Sequence, residues 1–283
     1  HGYPELGVAF IDARNPALRQ ALNLDDKQAG VVIYFVDPYG SAKSRLCTGD
    51  VLMTMDGHAV GNDGGIELDG NPVNFTELLE RKQWGESVTC DIWRTGVLNR
   101  VSIPLENPVD PFAYRNLYDQ RPEFIVFQGL IFSPLTRNYL TAMGADLNNS
   151  TSHNLLYSSQ FVKIDNLHTN RTQFVVLINR LPHPANTYSQ EYITRIVQEC
   201  NGKPIGSLGA LVEAFDNPRD GFHVIRFEGS DNPLILDASI TARTDREIKQ
   251  QYRLPALRNL TPKAGLANLQ HPPPAGRSAK SDE

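Results

Sequence analysis

Residues Gly30 to Asn62, GVVIYFVDPYGSAKSRLCTGDVLMTMDGHAVGN, leave a chain few ways to fold. Val31 to Val36 is a β-branched and aromatic run of the length of a buried strand. Asp37-Pro38 stops it, because proline donates no N–H and restricts the residue before it. The chain must turn there. Ser41 is placed to cap one helical turn through Leu46, and Gly49-Asp50 supplies a tight turn into a second strand, Val51 to Met55. Asp56-Gly57 closes that strand with a reverse turn.

Strand, short helix and second strand, with Gly30, Val36, Pro38, Ser41, Ala42, Leu46, Gly49, Asp50, Asp56, Gly57, Val60 and Asn62 at these spacings, resemble a PDZ domain of the kind carried by HtrA/Deg serine proteases. The resemblance gives a role to the segment upstream. In Tyr3-Pro4-Glu5-Leu6-Gly7-Val8, proline and glycine make a loop that runs into a strand starting near Gly7. In that family a hydrophobic-Gly-hydrophobic loop, here Leu6-Gly7-Val8, points backbone N–H groups at the terminal carboxylate of a peptide. Consecutive amides in a tight bend form a nest for an anion, and glycine permits the bend. The strand that follows, Val8 to Ile11 and including Ala9 and Phe10, would offer its edge to an extended peptide by β-augmentation.

Asn15 to Leu24 is expected as a short helix, with Pro16 in its first turn and Leu18, Ala21 and Leu22 at helical spacing. Gly61 to Val73 is rich in glycine and acidic residues and is expected as a series of turns. Asp63, Glu67 and Asp69 lack the alternate-residue ligand series of an EF-hand, so a calcium loop is disfavoured. Asn74 is placed to cap a helix over Phe75 to Lys82 with Phe75, Leu78 and Leu79 on one face. By the resemblance, this helix walls the peptide groove. The expected site is therefore Tyr3, Leu6, Gly7, Val8, Ala9 and Phe10 on the loop and strand, with Phe75, Leu78 and Leu79 opposite. Val88 to Arg94 and Val101 to Leu105 form a hairpin through Thr95-Gly96 that would close the barrel.

Prolines 108 and 111 and the polar residues between them and Arg121 read as a linker at 107–121, after a first domain of residues 1–106. Beyond it, Pro122, Phe124, Gly129, Leu130, Ile131, Phe132, Pro134, Leu135 and Thr136 resemble the opening of the second PDZ domain in plant-type Deg proteases. Two apolar strands pivot there at Gln128-Gly129. A short helix is expected at Asn138 to Gly144, a polar insertion at Ala145 to Lys163 and a buried strand at Gln173 to Leu181. Asn186 and Tyr188 partly match an Asn-x-x-Tyr group of that family. Ile196 to Ile205 is a strand-turn-strand through Asn201-Gly202, and Ser207 caps a helix over Leu208 to Phe215. Strands Phe222 to Glu228 and Pro233 to Asp237 complete a second domain over 122–241. A weakly amphipathic, heavily charged helix at 242–260, either on the surface or as a contact element, and a disordered tail at 261–283 are expected after it.

The resemblance implies an α+β, mainly β fold of two PDZ-like domains, each a partly open barrel capped by short helices, the second divergent. A net charge of −5 and a pI near 5.8, with no extended Lys/Arg run, leave no footprint for nucleic acid. The longest apolar runs, such as Phe174 to Ile178, are far below the roughly 20 residues of a spanning helix. Cys47, Cys90 and Cys200 are an odd number and widely spaced, which reads as free thiols rather than a disulfide or metal framework.

No glycine-flanked serine elbow and no HxxxH or HExxH spacing occur in the chain. Cys200 with His183 or His223 is the one candidate nucleophile pair, against a default of an inert strand thiol. The expectation is a chain with no catalytic residues and no cofactor or metal, opening at His1 as a fragment or processed product. The resemblance implies a peptide-binding and oligomerisation tandem of a serine endopeptidase, periplasmic if bacterial or organellar if plant-like. Its partners would be C-terminal or extended hydrophobic peptide segments, from substrates or from neighbouring subunits of a homo-oligomer. The alternative is a stand-alone PDZ scaffold, and an upstream reading frame carrying His, Asp and Ser in chymotrypsin-like order separates the two.

Overall fold

The two strands that flank Asp37-Pro38 and the Gly49-Asp50 turn form the middle of a six-stranded antiparallel sheet. They are seen in a computed structural model that describes residues 3–107, 109–112, 116, 118, 121–145 and 150–260. The chain divides into two units, residues 1–113 with 160–169, and residues 114–159 with 170–283. Both are mainly β with short helices, and the fold class is α+β.

Unit 1 contains β1 (Val8–Asp12), α1 (Pro16–Ala21), β2 (Val31–Val36), β3 (Val51–Met55), β4 (His58–Ala59), β5 (Gly65–Leu68), β6 (Asn71–Asn74), α2 (Glu77–Glu80), β7 (Ser87–Arg94) and β8 (Val97–Pro104). The strand order is β1-β2-β3-β7-β8, with β4 on β3, so β1 and β8 are the two edges. The β7–β8 hairpin therefore ends an open sheet and does not close a barrel. Ile33, Leu52, Met55, Phe75, Ile92 and Ile103 fill the core under it. Helix α1 forms as its sequence dictates, with the Asn15 side chain accepting from the Ala17 and Leu18 N–H groups and Pro16 in the first turn.

Three local expectations are corrected. Ser41 does not cap a helix: its hydroxyl donates to the Glu106 carbonyl, and residues 41–45 form turns. The glycine-rich stretch 61–73 is not turns alone. Ile66 and Leu68 are buried on one face of β5, which pairs with β6 through an Asp69-Gly70 turn with φ of 54° and 78°. Because β6 runs to Asn74, the following helix begins later and is shorter than expected. Asn74 accepts from the Thr76 N–H in a local turn, and α2 occupies only Glu77–Glu80.

Unit 2 contains β9 (Phe124–Phe127), β10 (Leu130–Pro134), α3 (Arg137–Ala142), all but the last two residues of α4 (Ser150–Phe161), β11 (Val175–Arg180), β12 (Val197–Cys200), β13 (Lys203–Pro204), α5 (Leu208–Phe215), β14 (Phe222–Phe227), β15 (Leu234–Asp237), α6 (Thr241–Gln251) and β16 (Arg258–Asn259). The strands form two four-stranded sheets, β11-β10-β9-β16 and β13-β12-β14-β15. Ser207 caps α5 by accepting from the Ala210 N–H. Of the two alternatives for the charged segment after residue 241, it is a contact element. Thr244 and Ile248, one turn apart on α6, are buried, and the next residues return to the sheet as β16. The tail expected at 261–283 lies outside the described residues.

Beneath weak residue identity the two units share one frame. Val8 pairs with Val36 and Leu130 with Arg180, and both pairings then skip one residue on the second strand, Tyr34 in β2 and Ile178 in β11. The Asp37 N–H donates to the Gly7 carbonyl at 2.7 Å, and the Leu181 N–H donates to the Gly129 carbonyl at 2.7 Å. Asp56-Gly57 and Asn201-Gly202 make matching turns, with φ of 47° and 86° in one and 52° and 81° in the other. In each turn the first side chain accepts from the strand opposite, Asp56 from the Thr89 N–H and Asn201 from the Val224 N–H.

Two polar sites inside these cores generate predictions. Asp50, 1 % exposed, accepts both guanidinium arms of Arg94 at 2.7 Å and the Cys47 N–H at 2.7 Å. Arg94→Met strands that carboxylate and is expected to destabilise unit 1 by about 3 kcal/mol, the low end for a broken buried pair because the arginine keeps some water contact. Urea unfolding read by tryptophan fluorescence measures it, since Trp84 and Trp93 both lie in unit 1. In unit 2, His223 is buried edge-on to the rings of Phe127 and Phe215, and burial holds its pKa below the ordinary value. The unfolded chain then binds the proton more readily, so unit 2 should lose stability as the pH falls below about 6.5. The Asp245 carboxyl, raised by burial, acts oppositely in the window above its ordinary 3.8. Thermal unfolding from pH 7.5 to 5 should show the loss in the native chain and a flatter profile in His223→Gln.

Candidate functional site

The loop ahead of β1 is bent by two glycines that face each other. Gly7 has a φ of 71°, and a Cβ there would lie 2.7 Å from the Gly40 Cα, while one on Gly40 would lie 2.8 Å from the Gly7 Cα. Neither position has room for a side chain, so the bend is fixed by backbone contact. It is pinned from behind, where the Ala42 N–H donates to the Leu6 carbonyl and the Asp37 N–H to the Gly7 carbonyl. The Asp37 carboxylate is in turn held by Lys163, which also reaches Asp110. With the carbonyls turned inward, the Leu6 and Gly7 N–H groups meet no acceptor among the described residues. Two adjacent free amides at a glycine bend can take an anion such as a carboxylate.

Beside these amides lies a cavity of about 240 Å³, between the free edge of β1 and helix α2. Of the residues expected from sequence, Tyr3, Leu6, Gly7, Val8, Phe10, Phe75 and Leu79 line it. Tyr3 is largely exposed at its mouth, whereas Leu6, Phe75 and Leu79 are buried at its floor. Phe10 and Phe75 pack with ring centroids 5.0 Å apart. Gly64 makes room for them, since a Cβ there would sit 3.2 Å from the Phe10 ring.

Ala9 and Leu78 are not brought to the cavity. Alternation along β1 sends Ala9 to the opposite face from Val8 and Phe10. Leu78 is buried in the core of unit 1, about a quarter turn of helix from Leu79. The lining includes four further residues, Pro4, Glu5, Thr76 and Glu80. Thr76 lies three residues before Leu79 and four before Glu80, so it shares a face with each, which marks it in the sequence once that face is known.

In unit 2 the same frame carries different surroundings. The loop counterpart of Leu6-Gly7-Val8 is Gln128-Gly129-Leu130, with Gly129 at a φ of 82°. The Gln128 N–H donates to the Asp245 carboxylate at 2.7 Å. The buried Asn186 side chain donates to the Gln128 and Leu181 carbonyls, both at 2.8 Å, while Tyr188, its partner in the family pattern, is exposed. A cavity of about 400 Å³ beyond β9 carries the carboxylates of Asp216 and Asp245 and the guanidinium of Arg258.

The candidate nucleophile pair does not assemble. Burial pushes the Cys200 thiol up to about 12, far from a reactive thiolate. His223 faces Asn201 and Thr241, and His183 faces Glu247. Among the described residues no three His, Cys, Asp or Glu side chains gather as a metal site, and no helix is long and apolar enough to cross a membrane.

Comparison with known proteins agrees with this geometry. A family model described as a PDZ domain matches residues 114–259. Protease Do-like 2, chloroplastic, of Arabidopsis thaliana is 26 % identical over 260 residues, 91 % of this chain and 41 % of that protein. Protease Do-like 4, mitochondrial, of the same plant is 26 % identical over 140 residues, 49 % of this chain and 27 % of its own length. A serine protease DegP homolog of Plasmodium falciparum is 26 % identical over 169 residues, 59 % of this chain and 18 % of its own. The chain thus spans less than half the length of these relatives. The family model falls on unit 2, and unit 1 repeats that unit's register, skipped residues and turns: the chain belongs to the PDZ domain family and is similar, over most of its length, to part of the HtrA/Deg-type proteases.

Proposed function

We propose that unit 1 binds the end or flank of an extended hydrophobic polypeptide, and that the chain serves as the peptide-binding and assembly region of a serine endopeptidase that works in protein quality control. The observation that supports it best is the coincidence of three things at one place: free amides at Leu6 and Gly7, an unpaired sheet edge on β1 and an apolar cavity under it. A terminal carboxylate accepts hydrogen bonds from the loop amides. The peptide backbone pairs antiparallel with β1, and the last side chain enters between Phe10, Phe75 and Leu79. A cavity of about 240 Å³ suits one side chain of leucine or phenylalanine size rather than two.

A buried side chain of that size contributes about 1.5–3 kcal/mol and each strand hydrogen bond about 0.5–1.5 kcal/mol net. A few of each, less the ordering of the peptide, give micromolar binding, on the order of −8 kcal/mol. Such affinity suits a site that holds and releases many segments, whether of substrates or of neighbouring subunits. The relatives' names, which describe proteases, support placing the site in an endopeptidase rather than in a stand-alone scaffold.

Fluorescence polarisation against peptides ending in Leu, Val or Phe tests the site. Leu79→Glu puts a charge on the cavity floor and is expected to weaken binding at least about tenfold, or about 1.4 kcal/mol. Ala9→Ser, on the other face of β1, should leave affinity unchanged. Absence of binding by the native chain overturns the proposal.

A further inference from the structure

We infer that the second PDZ unit is a closed one, its groove filled by its own strand β9 as a tethered internal ligand, so that of the two units only unit 1 presents an open peptide groove among the described residues. The inference rests on the reading of unit 1 as a peptide groove and carries the comparison into unit 2. In unit 1, the strand after the glycine bend, β1, pairs among the described residues only with β2, and its other edge faces α2. In unit 2 the corresponding strand is β10, since Leu130 pairs with Arg180 as Val8 pairs with Val36. Strand β10 has no free edge, because β11 lies on one side and β9 on the other.

Strand β9 meets the requirements of a peptide in that groove. It runs antiparallel to β10, with Phe127 opposite Leu130, Val126 opposite Ile131 and Ile125 opposite Phe132. Its C-terminal end, Phe127, is the end nearest the glycine bend, where a peptide's last residue would sit. The Phe127 ring stacks on Phe215 of α5 with centroids 3.7 Å apart, so it fills the space between strand and helix. A bound peptide would end there in a carboxylate. Here the chain continues through Gln128-Gly129, and the Asp245 side chain supplies a carboxylate to the loop amide.

The outer edge of β9 is covered as well. Arg258 pairs with Ile125 and Asn259 with Phe124, the Val126 N–H donates to the Leu257 carbonyl, and the Asn259 side chain holds the Pro122 carbonyl. The 400 Å³ cavity that remains presents two carboxylates against one guanidinium, which disfavours a second terminal carboxylate.

Amide hydrogen exchange of the full chain, free and with a peptide ending in Val, Leu or Phe at ten times its dissociation constant, tests this. The β1 amides at 8–12 should slow about tenfold with peptide, as mass action requires of a site that must first be vacated. The amides of 124–133 should already be slow in the free chain, and peptide should change them less than about twofold. Fast exchange of 124–133 in the free chain, or protection of that segment by peptide, overturns the inference and leaves unit 1's role standing. Slow exchange at 124–133 with no peptide effect at 8–12 upholds the closed groove and overturns the peptide site of unit 1.

Discussion

The hydrogen bond from the residue after one strand to a glycine carbonyl ahead of its neighbour sets the geometry of both units. Asp37 to Gly7 and Leu181 to Gly129 are the same bond, 2.7 Å in each case. It turns the glycine carbonyl toward the sheet and so turns the adjoining amides away from it. The bend exists only because glycine tolerates a φ near 70–80° at both places. Everything that distinguishes the units follows from what stands before that glycine.

Before Gly7 the chain reads Tyr-Pro-Glu-Leu, and before Gly129 it reads Phe-Ile-Val-Phe-Gln. Proline at position 4 has no N–H to give a ladder, so the first segment cannot lie down as a strand along β1. Phe124 to Phe127 is β-branched and aromatic throughout, and it folds back at the Gln128-Gly129 turn to do what the first segment cannot. An unpaired sheet edge is a liability in a soluble domain unless it is covered or used. Unit 2 covers it with its own chain, and unit 1 leaves it beside an apolar cavity.

Most of the frame was legible because strands and turns are written locally. Val31 to Val36, Val51 to Met55, the Asp56-Gly57 turn, the Ser207 cap and the Gln128-Gly129 pivot all depend on a few neighbouring residues. Of the residues that the resemblance assigned to a groove, all but two line one cavity. Ala9 and Leu78 are apolar and adjacent to true lining residues, and only the face of the strand or helix separates them. What was not legible was long-range pairing. Sequence marked β9 and β10 as two strands but could not show that residues 258 and 259, more than a hundred positions away, would close the outer edge. Nor did composition reveal that a heavily charged helix would bury Ile248 against Gly129.

Tethering also decides which occupant wins. A segment joined to its groove by the Gln128-Gly129 turn is present at an effective concentration on the order of millimolar, whereas a free peptide of micromolar affinity competes at micromolar concentration. That difference alone is roughly a thousandfold, before the Phe127–Phe215 stack and the pairing of β16 are counted. Displacing β9 would also unpair its neighbours and expose the core that Ile125 and Phe127 help to fill. Ligand exchange in unit 2 is therefore coupled to unfolding, and in unit 1 it is not. One fold thus serves in the same chain as an open clamp and as a solid block, according to whether the residues ahead of its glycine can pair.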